Sequence, residues 1–204
     1  MWKNKAVFGP LAATLLFAGI VVLAFLVPGY DQIRQTVSEI GEVGSPMQLP
    51  FTVLLCVVAV CLLIFASALL SASRVAGHSA LAAYFVAIMA ISAAGVGIFS
   101  FPHPLHNVFG LSELIGYQAP LVFALTWRDD LNARGLVVVS WLFAALVWIA
   151  IVLNLATLDR HGALFTVERP FYGLVQRSLF LAWFGWCAVT GLLLSRRTGS
   201  MLTD

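Results

Sequence analysis

The chain has 204 residues, 61% of them hydrophobic and 10% charged, with a net charge of +2. A soluble domain carries about 25% charged residues, so a wholly water-facing surface could not be covered and lipid must form part of the solvent. The small net charge and the lack of a glycine-rich phosphate loop give no reason to expect a nucleic-acid partner.

A bilayer-spanning helix needs about 20 mostly apolar residues. Six such stretches with short connections use up residues 1–204, which predicts an all-α, polytopic integral membrane protein: one domain, a bundle of six transmembrane helices. The first runs about 6–27 and ends at Pro28 and Gly29. Lys3 and Lys5 precede it as in a signal peptide, but a signal core is about 7–15 residues and no small-x-small cleavage site precedes Pro28, so it reads as a retained helix. Residues 30–50 form the longest polar interval. Within it, 31–40 (DQIRQTVSEI) reads as a short amphipathic helix, with Ile33, Val37 and Ile40 on one face and Asp31 placed to cap it. Arg34, Ser38 or Glu39 would then face either water or a site.

The second helix is expected at about 51–72, followed by a turn that exposes His78. The third lies at about 79–100 and the fourth at about 105–127, after FPHPLHNVFG. WRDDLNARG is a charged turn before the fifth helix, about 136–158. LDRHGALFTVERPFYG leads into the sixth, about 171–195, and the tail SRRTGSMLTD is polar. Cys56, Cys61 and Cys187 all sit inside apolar runs and read as small buried hydrophobes, not as a disulfide framework. Some of the six tryptophans, among them Trp127, Trp141, Trp148, Trp183 and Trp186, are placed to serve as interface anchors.

Lys and Arg counts in short loops orient the bundle. With the N-terminus inside, the inner side holds Lys3, Lys5, Arg74, Arg128, Arg134, Arg196 and Arg197, and the outer side holds Arg34, Arg160, Arg169 and Arg177. This favours a multi-pass protein with both termini cytoplasmic. The outer loops also hold His103, His106 and His161, three of the four histidines, so the outer face is where function is expected.

Glu113 lies in the middle of an apolar helix, where a charge costs about 2.5–3.5 kcal/mol on insertion scales. It falls roughly 12 Å along helix 4, and Arg177 roughly 9 Å along helix 6, so the two are expected to pair or to share a network at similar depth. His106, Gly110, Glu113 and Tyr117 form one stripe of helix 4 leading down from the outer loop. Asn154 is placed to join the wall of a cavity between helices 4, 5 and 6. His103 and His106 could bind Zn²⁺ with Asp31, Glu39 or His161, or act as acid–base groups near neutral pH. In the loop at 158–172, Asp159, Arg160, His161, Glu168 and Arg169 form either a solvated loop with local ion pairs or a lid. With Arg34 and Arg177, its arginines suit an anionic headgroup.

The stretch PGYDQIRQTVSEIGEVGSP resembles the signature of a bacterial membrane family, domain of unknown function 998, through Tyr30, Ser38, Glu39, Gly41 and Pro46. GIFSFPHP is similar to that family's G-x-F-P step, through Gly97, Phe99 and Pro102. The resemblance implies a six-helix protein of the bacterial cytoplasmic (inner) membrane but no activity, and it places weight on Ser38 and Glu39.

The expectation is therefore an outward-facing polar cavity, roofed by 30–50, that binds or acts on a lipid-like or anionic amphiphilic ligand. In a membrane-embedded hydrolase or transferase, His103, His106, Glu39 and Glu113 would be catalytic, and Arg34, Ser38, Tyr117, Asn154, Arg160 and Arg177 would bind the ligand. The alternatives are a transporter of a small amphiphile and a structural or accessory subunit. Membrane lipid is the expected partner, and a homo-oligomer is allowed.

Overall fold

A computed structural model of the chain describes residues 2–156, 167 and 169–196. Its α-helices are α1 (Trp2–Ala6), α2 (Phe8–Phe25), α3 (Gln48–Val75), α4 (Leu81–Ile98), α5 (Pro104–Gly116), α6 (Ala119–Thr126), α7 (Arg134–Ala156) and α8 (Tyr172–Arg196). They make six spans long and apolar enough to cross a membrane: Trp2–Phe25, Gln48–Val75, Leu81–Ile98, Pro104–Thr126, Leu131–Leu155 and Tyr172–Arg196. Arg160 and its neighbours Asp159, His161 and Glu168 lie outside the described residues.

The spans pack in a ring in chain order, each against the next, and α8 closes the ring against α2. Small residues permit this. A side chain at Gly9 would collide with the carbonyl of Cys187, and one at Gly191 with the carbonyl of Ala6, so α2 and α8 approach backbone to backbone. Outward faces carry Val22, Leu142, Val152 and Leu181, all exposed, as suits helices that meet lipid. Inward, Phe65, Phe123, Trp127, Trp183 and Trp186 are wholly buried. Those three tryptophans are core residues, whereas Trp141 and Trp148 are exposed.

The fourth span departs from the uninterrupted helix expected at 105–127. It breaks between Gly116 and Ala119, because Pro120 has no N–H to give the carbonyl four residues before it. That carbonyl, of Gly116, instead accepts a hydrogen bond from the indole Nε1 of Trp183 at 3.0 Å. A neighbouring helix thus satisfies the backbone group that the break exposes inside the membrane.

The loops sort to two ends of the bundle. At one end, Val43 N donates to Phe101 O (2.8 Å) and Leu174 N to Ile33 O (3.2 Å), which gathers the first loop, the step after α4 and the start of α8. At the other end, His78 Nε2 meets Asp130 Oδ2 at 3.2 Å and its ring packs 4.6 Å from that of Trp127. His78 is therefore half-buried in a contact between two turns, not exposed. Asp130 also accepts from Asn132 N and Ala133 N, so the charged turn caps the fifth span.

Candidate functional site

The first loop is a built roof. Gly29 (φ 74°) and Gly44 (φ 93°) turn the chain at its two ends, in a backbone region that other residues rarely adopt. The expected amphipathic helix over 31–40 shrinks to one turn of 3-10 helix, Val37–Gly41. Its cap is Thr36, not Asp31. The sequence Thr36-x-x-Glu39 forms a capping box, with Glu39 Oε1 accepting from Thr36 N at 2.9 Å. Asp31 only turns the chain locally, accepting from Ile33 N. Ile33 is consequently exposed while Val37 and Ile40 point down into the bundle, buried.

Arg177 on α8 holds the roof. Its Nη1 donates to Gln35 O and to Gly173 O, both at 2.9 Å, and its Nη2 donates to Tyr30 Oη at 2.6 Å. Tyr30 in turn donates to Thr36 O at 2.7 Å. Burial raises the phenol's pKa, and the hydrogen bond and charge of Arg177 oppose that rise. One residue earlier on α8, Gln176 Oε1 accepts from Val37 N at 2.7 Å. Glu39 spends its second oxygen on Gln35 Nε2 (2.7 Å). Gly41 sits so close to Phe51 that any side chain there would collide with the ring. Tyr30, Glu39 and Gly41 of the first motif are thus roof-building residues, while Ser38 faces the space below.

That space is a cavity of about 110 Å³. Its walls come from α2, α3, α4, α5 and α8, and Val37 and Ser38 lie at its top. From Phe51 to Val58 on α3 it extends about 10 Å along the helix axis. Apolar side chains such as Phe51, Met89, Phe180 and Phe184 make most of the wall; Ser38, His106, Glu113 and Gln176 are its polar members. Gly110 leaves open space on this face between His106 and Glu113.

His106 is buried, and its Nδ1 faces the carbonyls of Val96 (3.2 Å) and Phe99 (2.9 Å). Carbonyls only accept, so Nδ1 carries a proton. Glu113 Oε2 accepts from Tyr117 Oη at 3.1 Å, one turn further along the same helix. The arrangement presents a carboxyl, an imidazole, a hydroxyl and an amide to a mostly apolar chamber inside the span.

Several expectations change. Glu113 and Arg177 do not pair: among the described residues no ion pair joins them, and Arg177 turns Nη1 and Nη2 to the roof and to its own helix, its Nε lying buried without a hydrogen-bond partner there. The cavity is not between helices 4, 5 and 6, since the fifth span gives it no wall. Asn154 instead ties helices together, donating to Ala150 O (2.8 Å) and Val175 O (3.0 Å). Arg34 is exposed beside Asp31 at 3.5 Å. Tyr117 lies behind Glu113, against Trp183, and off the wall. His103 is an exposed N-cap of α5, its Nδ1 accepting from Leu105 N at 3.1 Å, while His106 turns inward. Among the described residues no three of His, Cys, Asp and Glu gather as metal ligands, so the zinc expectation finds no ligand set there. Cys56, Cys61 and Cys187 are free.

Gln176 and Trp183 were not singled out as site residues by sequence reasoning, since their partners lie 139 and 67 residues away. Thr36 and the helix break did leave signals, the T-x-x-E spacing and Pro120.

No curated protein matches the chain, and no solved structure does. Residues 10–193 match the family model described as Protein of unknown function (DUF998), and the chain belongs to that family.

Proposed function

We propose that this membrane protein binds one end of a small amphiphile drawn from the bilayer. The apolar walls of the cavity would hold the chain and its polar residues would receive the head. The observation that carries the reading is Glu113, a carboxyl set inside a span and on the wall of a chamber of about 110 Å³. A residue that is costly at this depth is expected to face a bundle interior and to serve a ligand. The roof latched by Arg177 and Gln176 supports a chamber covered at its loop end.

A structural or accessory role would account for Arg177, Asn154 and Glu39, which tie loops and helices together, but not for the chamber. A hydrolase or transferase would use the same chamber, with His106 and Glu113 as its acid–base pair; His103 and Glu39 are not on the wall. The Lys and Arg distribution supports cytoplasmic termini, and the family resemblance supports a bacterial inner-membrane setting.

The test fills the space. Gly110→Leu projects into the open face of the cavity. Wild-type protein released gently from membranes should carry a bound amphiphile detectable by native mass spectrometry, and the Gly110→Leu protein should not. Equal loading of the two would overturn the reading.

A further inference from the structure

We infer that the head of this amphiphile is a primary ammonium group, received by Glu113. The inference rests on the cavity-binding reading above and specifies its ligand. The wall holds one titratable acid, Glu113, and neither Lys nor Arg. Arg177, the cation closest in sequence to the wall residue Gln176, is turned to the carbonyls of Gln35 and Gly173 and to Tyr30. An anionic head would therefore enter a chamber with no positive charge and one carboxyl, and its repulsion would be strong in an apolar setting.

The hydrogen-bonding inventory points the same way. Among the described residues Glu113 has a single bond, from Tyr117 to Oε2, and Oε1 has no donor. His106 Nε2, which faces away from the carbonyls that hold Nδ1, has no hydrogen bond among the described residues. Ser38 Oγ shares one hydrogen bond with Thr36. Gln176 Nε2 and the Ser38 hydroxyl offer donors near the roof, whereas the acceptor deeper in the chamber is Glu113 Oε1, which a protonated amine would meet with both N–H donors and a compensating charge. A neutral alcohol brings one donor and no charge to meet Glu113. Phe180 and Phe184 add aromatic walls that tolerate a cation. His106 and Glu113 are seven residues apart on α5, about 10 Å along the axis, so the ammonium contacts Glu113 and the remaining acceptors stay nearer the roof.

Three probes of equal chain length separate the possibilities: dodecylamine, dodecanol and dodecanoate. Each is titrated into the full chain held in phosphatidylcholine nanodiscs, with binding read by equilibrium dialysis against the Gly110→Leu protein as the blocked reference. Wild type should bind dodecylamine at least about tenfold more tightly than the other two. Glu113→Gln, which keeps an acceptor for Tyr117, should bring amine and alcohol to within about twofold, while Glu42→Gln, in the first loop just after the Val37–Gly41 turn and off the cavity wall, should leave the preference intact. Comparable Gly110-sensitive binding of all three probes, a preference for dodecanoate, or an amine preference that survives Glu113→Gln would each overturn the ammonium assignment and leave the cavity reading standing. Binding of all three that is indifferent to Gly110→Leu would overturn both.

Discussion

Arg177 Nη2 and Tyr30 Oη are joined by a 2.6 Å hydrogen bond across 147 residues of sequence. The bond fastens the first loop to the last span and sets what roofs the cavity. It also removes Arg177 from the ligand-binding role that its charge suggested, because its Nη1 and Nη2 both donate to the roof or to its own helix.

Arg177→Met should therefore loosen the roof. Hydrogen bonds to charged groups contribute about 1.5–3 kcal/mol each and do not add fully, so a loss of about 3 kcal/mol in stability is expected, read as a lower thermal midpoint in detergent. Arg177→Lys should recover less than half, since one ammonium cannot reproduce the fork that reaches Gln35, Gly173 and Tyr30. Full recovery by lysine would show that charge alone holds the loop.

Tyr30 gives the roof a limit at high pH. Its phenol donates to Thr36 O and is shifted upward by burial from an ordinary value of about 10. A group with a raised folded pKa contributes stability that is fully present below the unfolded value and is lost as pH rises through the folded one. The roof should be insensitive to this group up to about pH 10 and weaken above it. Phenolate absorbance of wild type against Tyr30→Phe should show one tyrosine titrating late; titration of that residue below its ordinary value would contradict the buried, donating phenol.

Trp183 and Pro120 should be coupled. Trp183→Phe strips the donor from Gly116 O inside the membrane and should cost about 1–3 kcal/mol, the penalty for an unsatisfied buried polar group. Pro120→Ala restores an N–H that can reach Gly116 O within the helix. Trp183→Phe should then cost less in the Pro120→Ala background, a coupling measurable by thermal unfolding of the four proteins. Strict additivity would mean that the indole does not serve the break.

Glu113→Gln should leave ligand-free protein as stable as wild type or about 1 kcal/mol more stable, because it removes a charge from the span while Tyr117 keeps its acceptor. Glu42→Gln, in the loop, should stay within about 0.5 kcal/mol of wild type. Thermal midpoints in one detergent, with and without dodecylamine, test both. A Glu113→Gln protein that is strongly destabilised would point to a structural carboxylate.

Local signals account for much of the roof. Thr36-x-x-Glu39 marks a cap, and the glycines at 29 and 44 mark its turns. Asp31 competed for the same cap in the sequence. Thr36 holds it in the structure because the turn that follows must drop Val37 and Ile40 into the bundle, which a helix begun at Asp31 would not do. Pro120 signalled a break that an unbroken apolar stretch concealed. Gln176 left no signal, because an amide near the start of a span is equally suited to bonding its own helix, water or a loop.

By itself the sequence determined six apolar segments, their antiparallel order, the sorting of loops to two ends and the unusual depth of Glu113, because these depend on composition and local spacing. The tertiary structure decided which polar groups share a space. Closing the ring of spans with α8 against α2 turned Arg177 to the roof, left the fifth span off the cavity wall, and set Glu113 and His106 on one apolar chamber. Those outcomes depend on helix rotation and on backbone approach at Gly9 and Gly191, which no local pattern encodes.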